Sequence, residues 1–492
     1  MSTVQNILVL GGGTAGLTAA LTLKRKLPQL KVRVVRSPDI GVIGVGESTN
    51  MTFPKHFLED LAIPLPRLMK LIDPTLKLGI RFLWGPRPEF HYAFAYELAV
   101  RHPALKRSNA AYREDGPAWT GPVSALMAHE LAFHRGANGK PRPHRNFAFH
   151  IENPKMVAGL EVLCQEAGVV LTDGTVGEVE RADHGVAALR LQNGERVTAD
   201  LFVDASGFRA ELIGKTLEEP WIPYTRSLFS DRAVLGSWER EEEVVSPYTL
   251  AETMEAGWCW RIEHSQHINR GYVYSSSFIS DDRAREEFLR KNPKVREDRT
   301  HVVKFTSGRR ARLWVGNVVA IGNASGFVEP LEATAIGALC LQSGTLASAL
   351  EEAHFGMSDP MRALFNKYNG DQWDDIRDFL ALHYKFNQRL DTEFWRTARR
   401  DVDLAGASAL VEFWQQHGPS GLPHGILTNP AGTFGLEGYY AMLSGMDVPV
   451  ARPYQPTAAE RQTWRTHVKT LGDDVRNGLG VLEGLRILRG ES

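Results

Sequence analysis

Apolar positions follow two rhythms along the 492 residues. The unbroken apolar run at 7–10 has the length of a strand buried on both faces, residues 17–27 carry leucine and alanine at helical spacing with few breakers, and a second, valine-rich strand follows at 32–35. This succession predicts a βαβ unit. A second helix is expected to open at Asn153 or Pro154 and to close at Gly168. Two further stretches, ADLFVDASGF (199–208) and NVVAIGNASGFVEPLEATAIGAL (317–339), each lead an apolar strand into a glycine turn, the second followed by a helix from about Ala333. Other segments alternate. DPTLKLGIRFLW (73–84) predicts one strand with Leu76, Leu78, Ile80 and Phe82 on one face and Lys77 and Arg81 on the other. GWCWRI (257–262) puts Trp258, Trp260 and Ile262 on a single face. Residues 85–147 break both rhythms with Pro86, Pro88, Pro103, Pro117, Pro122, Pro141 and Pro143. With the aromatics of HYAFAY (91–96) and Trp119, they read as functional loops. Beyond 350 the pattern is helical, with an amphipathic run from Pro456 onward.

Composition narrows the chemistry. The chain is 43% apolar with a net charge of -1 and no long run of one sign, so nothing draws it to nucleic acid or to an anionic membrane. Cys164, Cys259 and Cys340 lie far apart without C-x-x-C pairing, which argues against a disulfide framework or zinc knuckle and suits a reducing cytoplasm. His129-Glu130 through His134 has one residue too many for H-E-x-x-H, and no metal is expected. No secretory leader precedes the first strand, and no apolar stretch approaches the ~18 residues of a membrane span.

Candidate chemistry enters at the turn after the first strand. NILVLGGGTAG spaces Gly11, Gly13 and Gly16 as G-x-G-x-x-G, with Thr14 and Ala15 between the last two. One glycine serves the tight turn, one lets the backbone approach a pyrophosphate, and one allows helix-to-strand packing, while the helix N-terminus faces the phosphates. A bound dinucleotide is expected. Its type stays open at this point, because Arg36 stands where an acidic ribose partner is usual. Asp39 can substitute, and an arginine here also suits a 2′-phosphate. A second cluster, GVIGVGESTN (41–50), reads either as a surface loop or as a strap along a large cofactor, with Gly46, Glu47, Ser48 and Thr49 near its reactive ring.

GGGTAG followed by GVGEST resembles the opening of the flavin-dependent halogenases related to the tryptophan halogenases, which bind FAD. Further similar segments run almost end to end, including ADLFVDASGFRAELI, IRDFLALHY, DTEFW and GYYAMLSGM. The resemblance implies an α/β fold: a Rossmann-like FAD-binding domain of the two-dinucleotide-motif flavoprotein type, with a substrate-side sheet and a mostly helical C-terminal subdomain. The implied boundaries are a discontinuous FAD-binding module at 1–355 with insertions at about 85–147 and 216–305, then a helical subdomain at 356–492 over the substrate site. On pattern alone Lys77 is a solvated charge and the two indoles are a core stripe. The resemblance instead makes Lys77 the catalytic lysine, Glu332 the active-site glutamate, and Thr334-Ala335 the pair whose backbone amides bind halide. Asn323 and Leu331 fall beside the flavin, and Trp258, Trp260 and Ile262 form the W-x-W-x-I signature that keeps the flavin from acting directly on substrate. There are departures: Ala335 replaces glycine, Glu263 replaces a usual proline, and the aromatic clamp ahead of Gly438-Tyr439-Tyr440 is not recognisable.

The activity implied is a two-component one. FADH2 from a separate NAD(P)H-dependent flavin reductase reacts with oxygen, and chloride or bromide becomes hypohalous acid that halogenates a small electron-rich aromatic such as an indole, phenol or pyrrole. The alternative is a single-component FAD-dependent aromatic monooxygenase that reduces its own flavin. A third reading is a flavin-binding protein without catalysis. No nucleic acid or membrane partner is expected, and a homodimer is left open.

Overall fold

The first apolar run is the strand Asn6–Leu10, buried at all but its first residue. It lies in a six-stranded sheet ordered Val170–Asp173, Lys31–Arg36, Asn6–Leu10, Leu201–Asp204, Val318–Ala320, Trp314–Val315. All pairs are parallel except the last. Such a sheet must be covered on both faces. On one, the helix Thr14–Lys26 packs against the helices Asn153–Ala167 and Thr334–Glu352. On the other, Leu8, Leu10, Phe202, Val318 and Ala320 meet Val186, Leu189, Leu191 and Val197 of a small antiparallel sheet. Helix ends follow local chemistry. Lys24, Arg25 and Lys26 occupy the last turn of the first helix, where cations suit the negative end of the dipole. The helix Asn153–Ala167 carries proline in its first turn and ends at a left-handed Gly168, as the sequence predicts.

The computed structural model describes residues 3–41, 46–94, 105, 107, 109–112, 121–429 and 432–490. Contacts divide the chain into two units, one of residues 1–73, 151–223 and 306–373, the other of 74–150, 224–305 and 374–492. Among the described residues, no helix is long and apolar enough to cross a membrane.

The second unit is built on a seven-stranded sheet ordered His301–Lys304, Arg232–Glu239, His267–Tyr274, Gly257–Glu263, Tyr248–Met254, Gly79–Leu83, Phe90–Ala93. Only Tyr248–Met254 and Gly79–Leu83 run parallel. The single strand expected over 73–84 is two strands. Thr75–Lys77 pairs with Ala148–Ile151, and after Leu78 the chain enters the large sheet at Gly79, where an added Cβ would stand 2.3 Å from the Tyr92 carbonyl oxygen. Leu76, Leu78, Ile80 and Phe82 are buried as the pattern predicts, but so is Lys77, at 0% exposure. The solvated charge suggested by the pattern alone is therefore wrong: this short strand is covered on both faces.

The irregular region carries more order than its prolines suggest, with the helix Pro122–Ala128 and a hairpin of Phe133–Arg135 and Pro141–Pro143. Trp119, Pro103, Pro117 and residues 95 and 96 of HYAFAY lie outside the described residues. The helical expectation after 350 is met by the 28-residue helix Asp359–Phe386. The run from Pro456 is two helices, Ala458–Val475 and Val481–Arg489. They are separated where Leu479 bridges to Phe133, and the first opens on a capping box of Thr457 and Glu460. An aromatic core closes this unit: Trp84 donates its indole N–H to the His383 carbonyl, Trp395 donates to the Met254 carbonyl, and the Tyr384 and Trp395 rings stack 5.7 Å apart.

Candidate functional site

Each glycine of the first turn has a distinct physical reason. Gly11 has φ +125, and a Cβ there would lie 2.3 Å from the Ala205 carbonyl oxygen; at Gly16 it would lie 1.9 Å from the Gly11 carbonyl oxygen. Gly13 is different. It is the N-cap of Thr14–Lys26, nothing lies within 4 Å of its would-be Cβ, no side chain caps the helix, and no acidic residue sits in its first turn. Open space in front of free amides, with Thr14 and Ala15 half-buried behind it, fits a pyrophosphate. The turn at Gly322 closes on the same place, since its Cβ would meet Ala15 at 2.8 Å. This carries Asn323 to the glycine turn.

Arg36 borders the turn through its stem, because a Cβ at Gly12 would stand 2.4 Å from Arg36 Cβ. Its guanidinium donates to Asp173 at 2.7 Å and pairs with Glu161. The bond to Asp173 is the largest influence raising its pKa. The charge that suits a 2′-phosphate is already matched by two carboxylates. Asp39 accepts from Thr175.

Of the second glycine cluster, residues 42–45 lie outside the described residues. Gly46 has φ +92, Glu47–Ser48 is a short strand, and Thr49 is fully buried. The Glu47 carboxyl is pushed up by burial, against a 3.0 Å hydrogen bond from Asn153. Asn50, which the sequence reading passed over, packs against the helix Thr334–Glu352: a Cβ at Gly337 would meet its side-chain oxygen at 2.6 Å. The strap and the candidate halide element thus meet within the first unit.

The candidate halide element has the local geometry such a role would need. The short turn Pro330–Glu332, with Leu331 and Glu332 buried, leads through Ala333 at φ +54 into the helix, and no side chain caps it. The Thr334 hydroxyl is buried without a hydrogen-bond partner among the described residues. A buried donor without an acceptor beside free helix amides fits a small anion. Ala335 follows, half-buried. Glu329, fully buried, is a second carboxylate at this turn. Its position in V-E-P-L-E looks like a solvated turn, and no periodicity marked it.

Lys77 and the tryptophan signature belong to the second unit. Thr75 and Lys77 share a face with Ala148 and His150, their cross-strand partners. The Lys77 ammonium lies 5.2 Å from the centroid of the Phe94 ring. In Gly257–Glu263 the Trp258 and Trp260 rings are 5.9 Å apart and tilted by 53°, with Ile262 also buried. Trp260 faces Gly271 across the ladder, and a Cβ there would be 2.0 Å from the indole. Glu263 holds its place as a buried charge. It is 1% exposed and paired with Arg240 and, at 2.7 Å, with Arg261. Its carbonyl accepts from the Thr75 hydroxyl. Neither Arg240 nor His150 could be picked out by spacing, because their partners, Glu263 and Thr249, are remote in sequence.

Comparison with known proteins gives the family. The tryptophan halogenase family model matches residues 6–463. Tryptophan 6-halogenase ThaL of Streptomyces albogriseolus is 32% identical, covering 99% of this chain and 99% of its own. Tryptophan 7-halogenase RebH of Lentzea aerocolonigenes is 31% identical over 82% of this chain and 80% of its own. Among solved structures, MibH, a lathipeptide tryptophan 5-halogenase, superposes with a TM-score of 0.88 at 34% identity, covering 99% of this chain and 94% of its own. BrvH, a flavin-dependent halogenase from Brevundimonas sp. BAL3, gives 0.85 at 27%, covering 99% of each. With a match that runs from the first strand into the C-terminal helices, this chain belongs to the tryptophan halogenase family and is a flavin-dependent halogenase.

Proposed function

We propose that the chain binds FAD in its first unit, receives it as FADH2 from a separate NAD(P)H-dependent flavin reductase, and halogenates the ring of an indole. Reduced flavin, when bound, activates oxygen so that chloride or bromide is oxidised to hypohalous acid. Gly11, Gly13, Thr14, Ala15 and Gly16 would hold the pyrophosphate on helix amides. Gly46, Glu47, Ser48, Thr49, Asn323 and Leu331 would border the ring system, and the stem of Arg36 would wall the adenosine side. Thr334 and Ala335 hold the halide, and the observation that carries this reading is the buried, unpartnered Thr334 hydroxyl at an uncapped helix start.

Hypohalous acid is indiscriminate, so a group must hold and aim it. A lysine ammonium donates a hydrogen bond to the departing oxygen, which is the role of Lys77. Glu332 accepts the proton lost from the ring, as a general base. Trp258, Trp260 and Ile262 keep the flavin site apart from the aromatic. The three buried thiols, Cys164, Cys259 and Cys340, suit a cytoplasmic enzyme.

The test supplies purified protein with FAD, an unrelated flavin reductase, NADH and either bromide or chloride, and screens tryptophan, indole, a tryptophan-containing peptide, phenols and pyrroles by mass spectrometry. A halogen isotope pattern on an indole is the expected result, with bromide the easier halide because it is more readily oxidised. Thr334→Val should raise the halide concentration needed for half-maximal rate. Turnover independent of halide, or flavin bleaching by NADPH without the reductase, overturns the proposal.

A further inference from the structure

His150 lies in the strand Ala148–Ile151, opposite Thr75 in the register that sets Ala148 opposite Lys77. Directly opposed residues of an antiparallel pair share a face, and the diagonal neighbour is within reach of a long side chain. His150 and Lys77 are such a diagonal pair, and both are 0% exposed. The imidazole Nε2 is fixed by Thr249 Oγ1 at 2.8 Å. Its Nδ1 makes no hydrogen bond of good geometry among the described residues and is left to a weak approach by the Glu263 backbone. A fully buried ring with one nitrogen well bonded and the other poorly so, beside a buried ammonium, is an expensive arrangement for structure alone, since an apolar side chain would fill the space without burying polar atoms.

We infer that His150 is a positioning residue for Lys77, presenting a neutral imidazole to the ammonium on their shared face and so fixing where Nζ points. The inference rests on Lys77 being the group that holds the hypohalous acid. Burial first, and the Lys77 charge second, keep the imidazole pKa well below its ordinary value. His264 and Arg240 press in the same direction, and the Glu263 backbone opposes them. Neutrality matters because a second cation on this face would repel the ammonium and compete for the oxygen of the hypohalous acid. Thr249 holds the ring from the large sheet, in the strand Tyr248–Met254, so the pair is fixed from two sheets at once.

Two measurements test this. Histidine-selective 15N labelling, with the His150 signal identified by its loss in His150→Gln, reads ring protonation between about pH 5 and 8 without flavin or substrate. His150 should stay neutral in the wild-type protein, and in Lys77→Ala its titration should move upward, toward the ordinary histidine range. In the reconstituted reaction with bromide and the indole that the screen returns, His150→Leu should lower kcat at least tenfold with KM for the indole and FAD affinity unchanged. His150→Gln, which keeps a neutral hydrogen-bonding group, should recover most of the rate. A His150 titration indifferent to Lys77→Ala overturns the inference, as does a His150→Leu enzyme with wild-type kcat. If Lys77→Ala itself makes normal product, the catalytic reading of the lysine falls, and the nuclear magnetic resonance result still reports whether the two side chains are coupled.

Discussion

Replacing Asp375 by asparagine should stabilise this enzyme in alkaline solution and leave it unchanged in acid. Asp375 is 8% exposed on the helix Asp359–Phe386. Its carboxylate accepts one hydrogen bond, from the Thr433 amide at 3.2 Å. Burial raises its pKa from 3.8 to about 7, with the charge of Asp378 adding to the rise. A carboxyl whose folded pKa lies above its unfolded one binds more protons when folded, so stability falls as pH rises from the unfolded pKa toward the folded one, and then levels off. A shift of about 3 units at 1.36 kcal/mol each amounts to roughly 4 kcal/mol of destabilisation at pH 8 relative to pH 4. Asparagine keeps an acceptor for Thr433 and cannot ionise, so Asp375→Asn removes the penalty. At about 2 °C per kcal/mol for a body of this size, the midpoint of thermal unfolding should rise by roughly 8 °C at pH 8, by less at pH 6.5, and by nothing at pH 4. Asp378, raised by burial to about 6 despite Arg377, adds its charge to the rise at Asp375, so the double variant should gain less than the sum of the two. Melting curves of both proteins across this pH range decide it. An equal difference at every pH, or a variant less stable at pH 8, refutes the burial argument.

Lys77→Ala should abolish halogenated product while FAD binding and oxygen-dependent FADH2 oxidation persist, and Glu332→Gln should slow product formation without abolishing it; product per NADH consumed separates the two. Gly11→Ala should lose FAD binding, read by flavin fluorescence quenching, because a Cβ 2.3 Å from the Ala205 carbonyl oxygen at φ +125 cannot be accommodated. Gly271→Ala should displace the Trp260 indole, changing near-ultraviolet circular dichroism and costing about 1–3 kcal/mol, with FAD affinity retained. Glu263→Gln should destabilise by about 3–5 kcal/mol in denaturant unfolding, since it leaves the Arg240 guanidinium buried without its carboxylate.

The parts of the fold legible in the sequence are those whose causes are local. A glycine turn between an apolar run and a helix can be read because each glycine answers to atoms nearby: Gly16 to the Gly11 carbonyl, and Gly13 to the open space in front of its own helix. The cap at Gly168 is legible for the same reason. The break at Leu78 is not. Alternation continues through it without a flaw, and only the close passage of Tyr92 at Gly79 shows that the chain has changed sheets. Nor does any local pattern encode the five crossings of the chain between its two units, since each crossing is set by which distant strands pair.

The same limit explains why Lys77 looks like a surface charge when its side chain is read by period. An alternating pattern records that a position is polar and infers solvent from that, but a polar side chain can also be satisfied by a buried partner brought from elsewhere. Here the partners are remote: the Thr75 hydroxyl reaches a carbonyl 188 positions away at Glu263, and His150 is anchored 99 positions away at Thr249. Glu263, the departure from the family's usual proline, is itself held by Arg261 from its own strand and by Arg240, just past the end of the strand Arg232–Glu239. A buried lysine, a neutral histidine and a doubly paired glutamate within one small region would be a costly way to fill a core, because each charge taken out of water needs its own compensation. Their concentration beside the strand Thr75–Lys77 is the physical argument that supports the proposed role of Lys77, and it is independent of the resemblance.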